Sequence, residues 1–470
     1  MYKLPKIWFG RVERFWSKTM PSPSSYPVSD SKFSLSYNTA EEKDAVNKME
    51  KELFTEDSEI LALLPEGTFI KDYVGTYDVS YEGEVPEEGV RTLLSPESVE
   101  GLGKVSAFHF VDNAWELVED AEVVDGFVYG TLTSFSPIAI VVSRKEIHTV
   151  ENIPVVSGSY SKFVVCEGNN VQIKENDNNL PVVINTATGV EIELDVKTLV
   201  VGGAIDESID STNVTVIGIT SGNEYLGKVI SGSVFLNKEG ECITLGEANL
   251  NVIDSDMGTV TGSYGAVRTN KVNFNLKNST FPWIGAGEGY AGANTPPASF
   301  AFTAWAKEVN MNIENCTSAL LYCGSNNEYF YTDKSVATVT GGHFDYIAPS
   351  SNDGMNNYIL NAYDVDIDVY QSTNRGNIAN AVAKFENCTV DKLFIGGDAT
   401  DSSVDGTTGK QRVDINKGGT YTILPGTEAG VAITAEDVDR IVDCIKVTRY
   451  AKITIADDFK AMIGAKYIVK

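Results

Sequence analysis

Between residues 150 and 430 apolar and polar positions alternate in short runs, and the spacing of apolar residues expected of a helix is missing. Asn, Thr, Gly, Ser and Val dominate this stretch, as they do in short strands joined by tight bends. One phrase recurs. It is VNFNLKNST over Val272 to Thr280, VNMNIENCT over Val309 to Thr317, and VAKFENCT over Val382 to Thr389. Each copy is followed by an apolar run: Trp283-Ile284, Leu320-Leu321 and Leu393-Phe394-Ile395. Val336 to Phe344 and Tyr363 to Tyr370 carry the strand pattern without the Asn-x-Thr ending. Asn278 and Asn315 lie 37 residues apart, and Asn315 and Asn387 lie 72 apart.

Unequal spacing of equal phrases predicts coils that stack while loops of varying length leave them. Each coil would place short strands on the coil before at about 4.8 Å. Inward Val, Ile, Leu and Phe would then form one core column. Asn at the bend tolerates left-handed backbone angles, which makes Asn278, Asn315 and Asn387 the predicted bend residues. The expectation is a right-handed parallel β-helix over residues 150–430, clearest from 186 to 425. Strands at Asn213 to Ile219 and Gly232 to Leu236 belong to its start, and residues 150–185 serve as a cap or linker.

The flanks read differently. Residues 66–149 hold short alternating runs at Phe69 to Val74, Thr76 to Tyr81, Lys104 to Phe110 and Gly126 to Thr133. Turn residues such as Asp112-Asn113 separate them, and the buried run SFSPIAIVV over Ser134 to Val142 closes the set. This predicts a small antiparallel β-sandwich. Residues 31–65 predict a helical connector: Thr39 and Glu42 form a capping box, and Val46, Met49 and Leu53 share a face. Residues 431–470 predict a small α/β cap. It has a helix from Thr434 to Ile445 and strands at Lys452 to Ile455 and Lys466 to Val469. The expected class is mostly β.

Residues 1–30 stand apart. Lys3, Lys6, Arg11, Arg14 and Lys18 make this arm basic, and Pro5, Pro21, Pro23 and Pro27 keep it extended. Trp8, Phe9, Phe15 and Trp16 interleave with the charges. Trp8, Phe9, Arg11, Arg14, Phe15 and Trp16 are the predicted attachment residues, since aromatic and Arg anchors carry most docking energy.

The whole chain is acidic, with 65 Asp and Glu against 37 Lys and Arg and a net charge of −28 over 470 residues. Phosphate recognition needs cations, so nucleic acid is excluded as a partner. No apolar run of about 18 residues exists, so no membrane insertion by a helix is expected. The start, MYKLPKIWFGRVERFW, lacks the apolar core of a signal peptide, and the six cysteines contain no CxxC pair. Both features lead to an expectation of assembly in a reducing cytoplasm.

Candidate chemistry is sparse. His109, His148 and His343 are far apart in sequence, so no metal and no cofactor are expected. They also make no Ser-His-Asp set. Asp364, Asp366 and Asp368 alternate with Val365, Ile367 and Val369, which predicts three carboxylates on one strand face. Two-residue steps of about 6.5–7 Å along a strand overlap the carboxyl separation of inverting glycosidases, so these are the catalytic candidates. A solvated acidic face is the plainer reading. Trp283, Trp305, Tyr329 and Tyr331 are the candidates for stacking on a glycan. Cys316 and Cys388, each beside a bend Asn, predict small buried thiols.

The stretch VSAFHFVDNAWELVEDAEVVDGFVYGTLT, ending in SFSPIAIVV, resembles β-sandwich modules of bacterial surface proteins. The order of arm, helix, sandwich, coil stack and cap, with its Asn-x-Thr coils, resembles the fibre and spike proteins of tailed bacteriophages. That resemblance implies a structural protein on the outside of a virion: a head fibre, decoration spike or tail fibre. It implies assembly in the host cytoplasm and a homotrimer. A capsid or tail protein would hold residues 1–30, and a host cell-surface glycan or protein would be the target. The alternatives are a polysaccharide-degrading tailspike and a bacterial surface adhesin or surface-layer protein.

Overall fold

A computed structural model describes residues 33–36, 60–64, 68–81, 84–95, 97–99, 104–150, 160–167, 170–203, 209–232, 243–264, 267–288, 304–325, 330–348, 355–372, 378–395, 410–426, 428 and 445–463. The described chain is mostly β and divides into two units, Met1–Lys145 and Glu146–Lys470. The first holds small antiparallel sheets. The second holds one large, mixed, largely parallel and nearly closed sheet.

In the first unit the strands are β1 (Phe33–Ser36), β2 (Thr68–Tyr81), β3 (Val90–Leu93) and β4 (Lys104–Val111). Then come β5 (Ala114–Leu117), β6 (Glu122–Val124), β7 (Phe127–Leu132) and β8 (Ile138–Lys145). One sheet runs β1-β2-β8-β4-β5 and the other β3-β7-β6. Tyr77, Val79, Ala107, Ile138 and Ile140 of the first share a core with Val128 and Leu132 of the second. The SFSPIAIVV run is buried as expected, with Ile138 to Val142 at most 1% exposed. Asp112 and Asn113 both take left-handed angles, φ 47 and 67, which lets a two-residue hairpin join β4 to β5.

Two expectations change here. Phe69 to Val74 and Thr76 to Tyr81 are one strand, β2, whose register against β8 slips at Ile70/Asp72 and Tyr73/Gly75. The slips interrupt the alternation without ending the pairing. Part of the helical connector is also strand: Phe33–Ser36 pairs antiparallel with β2, as its Phe-Ser-Leu-Ser alternation permits. The connector's last described residues form a 3-10 turn, Leu61–Leu63, and its residues 37–59 lie outside the described set.

The second unit begins with β9 (Ile147–Val150), β10 (Lys162–Cys166), β11 (Val171–Glu175), β12 (Pro181–Asn185) and β13 (Glu191–Glu193). It continues through β14 (Thr198–Gly202), β15 (Ile209–Ile217), a helical turn α1 (Gly222–Tyr225), β16 (Leu226–Ile230) and β17 (Ile243–Ile253). Next are β18 (Thr259–Tyr264), β19 (Val267–Lys277), β20 (Thr280–Glu288), β21 (Ala304–Ser325) and β22 (Phe330–Ala348). Then come β23 (Met355–Tyr363), β24 (Asp366–Gln371), β25 (Ile378–Glu386), β26 (Thr389–Ile395) and β27 (Lys410–Lys417). The unit ends with β28 (Thr420–Pro425), β29 (Ile445–Val447), β30 (Lys452–Ile455) and a helix, α2 (Asp457–Ile463).

Parallel pairing forms two long ladders. One runs β10-β14-β16-β18-β20-β21-β22-β24-β26-β28-β30. The other runs β11-β15-β17-β19-β21-β22-β23-β25-β27-β29. At the first end the pairing turns antiparallel, with β9 on β10 and with β12 and β13 added to β11. The expected strand at Asn213 to Ile219 is β15. Gly232 to Leu236, the helix from Thr434 and the strand from Lys466 lie largely or wholly outside the described residues, but Ile445, the predicted last residue of that helix, instead opens strand β29, where it pairs with Val413. Lys452–Ile455 is a strand as expected, and α2, which the sequence pattern did not mark, seats Phe459 and Ile463 in the core.

Inward side chains stack along the ladders and match by size. Phe281 and Phe344 flank Ser318 in register, and Tyr358 lies between Ser335 and Ala381. Phe385 lies between Ala362 and Ile415. At these positions a large side chain has a small one in register beside it, an arrangement that lets neighbouring layers interdigitate.

The bends stack too. Asp254, Asn278, Asn315, Asp364 and Asn387 all have left-handed backbones, φ 48 to 56, and Gly341 and Gly418 complete the series. The bend amides of Asp254, Asn278, Asp364 and Asn387 each donate to a carbonyl of the next rung, at 2.7–3.0 Å. Asn278 Nδ2 also donates to Asp254 Oδ1 at 2.8 Å. The three predicted bend asparagines are therefore bends. The position after the bend is Ser255, Ser279, Cys316 and Cys388 in the same series. In each, Oγ or Sγ donates to the carbonyl two residues back.

Burial pushes the thiols up: Cys166 and Cys323 to about 12, Cys316 to about 11, and Cys388 in the same direction. All four are free. In the native state at about pH 8, a maleimide should leave these four unlabelled. Denaturant should expose all of them, as read by peptide mass spectrometry. Native labelling of Cys316 or Cys388 as fast as a free thiol would contradict the bend geometry.

Candidate functional site

β22 and β24 are adjacent in register, with His343 opposite Asp366 and Phe344 opposite Ile367. Phe344 and Ile367 are fully buried, so alternation turns His343, Asp345, Asp366 and Asp368 to the outer face. His343 Nε2 lies 3.1 Å from Asp345 Oδ1 and 3.9 Å from Asp368 Oδ1, and Nδ1 lies 3.3 Å from Asp366 Oδ2. One imidazole thus faces three carboxylates, and all four side chains remain open to solvent. Further along β22, Tyr346 donates to Gln371 Oε1 at 2.5 Å.

The predicted catalytic trio is only partly assembled. Asp366 and Asp368 share the outer face as expected. Asp364 does not join them. It sits in the bend series with φ 53, its amide bonded to Glu386 O, and the strand begins two residues later. Alternation could not reveal this, because Asp fits an exposed strand position and a left-handed bend equally well. Sequence reasoning missed His343 and Asp345. The signal that would have found them is His343-x-Asp345 at the end of the predicted strand Val336 to Phe344, 23 residues before Asp366-x-Asp368, had that strand been carried past Phe344 as it runs in the structure.

The aromatic candidates fare differently. Trp283 is 9% exposed, and Lys228 Nζ lies 5.2 Å from its ring centroid. Trp305 is half-buried, at the register position between Arg268 and Tyr331. Tyr329 and the side chain of Tyr331 lie outside what is described, as do Trp8, Phe9, Arg11, Arg14, Phe15 and Trp16.

A second histidine has a hydroxyl partner. His109 Nε2 is 2.7 Å from Ser136 Oγ, and Glu116 stands opposite His109 in the β4–β5 pair. The arrangement is reversed for nucleophilic catalysis. Ser136 gives its proton to Phe110 O at 2.5 Å, so the imidazole must donate to the serine rather than accept from it. Burial pushes the His109 pKa down, and Glu116 opposes this only in part. The ring is a buried strut.

Among the described residues no helix is long and apolar enough to cross a membrane. No protein-family model, curated protein or solved structure matches this chain.

Proposed function

We propose that the chain is a structural protein on the outside of a bacteriophage virion: a head fibre, decoration spike or tail fibre that grips the host surface. In this reading residues 1–30 bolt it to a capsid or tail protein, and the first unit is a β-sandwich module. The large sheet winds as a right-handed parallel β-helix, the hand favoured for parallel crossovers, and three copies associate.

The observation that carries the reading is the continuity of pairing. Both ladders run from one end of the second unit to the other, and each rung is bonded to the next. Such a body resists bending because bending must shear many backbone bonds at once. Antiparallel strands at the first end, together with α2 at the last, suit a rod that must not pair edge to edge with its neighbours. Stiffness of this kind is what a particle appendage needs.

Removing residues 1–30 in the encoding phage tests it. The shortened chain should fold and be absent from purified particles. Its retention on particles would overturn the attachment role. A second reading, polysaccharide cleavage, draws support from Asp366 and Asp368 on one open face. Release of reducing ends from a host glycan, lost in Asp366→Asn or Asp368→Asn, would favour it.

A further inference from the structure

We propose that His343, Asp345 and Asp368 bind a divalent transition-metal cation on the outer face of β22 and β24. The inference stands apart from the virion reading and does not depend on it.

Two observations carry it. The first is donor geometry. One imidazole nitrogen and two carboxylate oxygens, one from each Asp, lie within 4.8 Å of one another. The nitrogen-to-oxygen gaps are 3.1 and 3.9 Å. Metal bonds of about 2.1 Å at tetrahedral or octahedral angles place neighbouring donors about 3.0–3.4 Å apart. A cation therefore needs only small rotations of exposed side chains. The donors come from two rungs whose backbones are already bonded, so the site is held before the ion arrives.

The second is the charge pattern. Elsewhere the ladders stack opposite signs from rung to rung: Glu247 with Lys271, Glu308 with Lys334, Lys277 with Glu314, and Glu386 with Lys417. Asp345, Asp368 and Asp391 break that pattern. Phe344 faces Ile367 and Tyr346 faces Val369, which places Asp345 beside Asp368; Ile367 and Val369 in turn place Asp368 beside Asp391. Like charges directly opposed on neighbouring strands destabilise a sheet. A cation held between Asp345 and Asp368 reverses that cost. The imidazole sets the preference, since nitrogen donors favour Zn²⁺ over Ca²⁺, which takes oxygen.

Calorimetric titration of the intact chain with Zn²⁺ alone, and separately with Ca²⁺ alone, tests the assignment. Wild type should bind Zn²⁺ more tightly than Ca²⁺. His343→Ala and Asp368→Asn should each lose one Zn²⁺ equivalent or bind it at least tenfold more weakly. Asp391→Asn, one rung beyond the donors, should keep it. Circular dichroism confirms that each variant is folded. Unchanged Zn²⁺ stoichiometry and affinity in His343→Ala would overturn the proposal, as would a wild-type chain that takes up no Zn²⁺ or prefers Ca²⁺.

Discussion

Phe385→Ala is expected to destabilise the large sheet by about 3–5 kcal/mol, the range for removing a fully buried aromatic ring. Phe385 is 0% exposed. Its ring meets Tyr370 edge-on at 5.0 Å and 82°, and Tyr421 at 6.0 Å. It is the large member of a column whose register neighbours are Ala362 and Ile415, neither of which carries a ring to replace it. The loss should spread through the polar ends of the same cluster. Tyr421 Oη accepts from the Cys388 amide at 3.2 Å, and a tilted Tyr421 would surrender that bond. Urea titration followed by circular dichroism measures the cost. Hydrogen exchange should show protection falling first in β23 to β28. Phe385→Leu, which keeps most of the volume, should cost less than half as much. A loss below about 1 kcal/mol for the alanine variant would mean that the column is not packed as described.

Gly342→Ala should be nearly as damaging, for a different reason. Gly342 has φ +87, and a Cβ there would stand 2.0 Å from Cys316 O and 2.8 Å from Cys316 N. Both obstacles are backbone atoms of the rung before, held in the ladder by pairing on either side. They cannot step aside without breaking rung-to-rung bonds. The left-handed backbone adds about 1–2 kcal/mol for any residue with a Cβ, and the forced displacement about 1–3 kcal/mol. Gly341 next door is the control. It is also left-handed, at φ +66, but the one close obstacle to its Cβ is the end of the Asn315 side chain, with the Asn315 Cα at an ordinary 3.9 Å. Gly341→Asn reproduces what neighbouring rungs already do and should cost under about 1 kcal/mol. Equal thermal midpoints for the two variants would show that the clash at Gly342 is relieved by some other route.

These two sites mark how far the pattern along the chain could be read. Asn278, Asn315 and Asn387 were legible as bends because Asn is among the few residues that accept left-handed angles, and each sat at the end of a repeated phrase. Asp364 was misread. Its neighbours alternate perfectly, and a two-residue period cannot tell a strand from a strand that turns a corner. Tyr450, at φ 52 and 93% exposed, carries no local signal at all. The buried run Ile138 to Val142 was legible from its unbroken apolar character. The merging of two predicted strands into β2 was not, because register slips depend on the partner strand.

By itself the amino-acid order determined the mostly β class, the change of texture near residue 150, the bend asparagines and the inward faces of the strands. These are local matters of backbone preference and of which side of a strand is apolar. Only the tertiary structure decided which strands are neighbours, and so that His343 meets Asp345, Asp366 and Asp368 while Asp364 turns away. Pairing between rungs joins residues separated by loops of any length. A chain pattern records the face a side chain occupies but not the strand beside it, and the meeting of charges across two strands is set by that second fact.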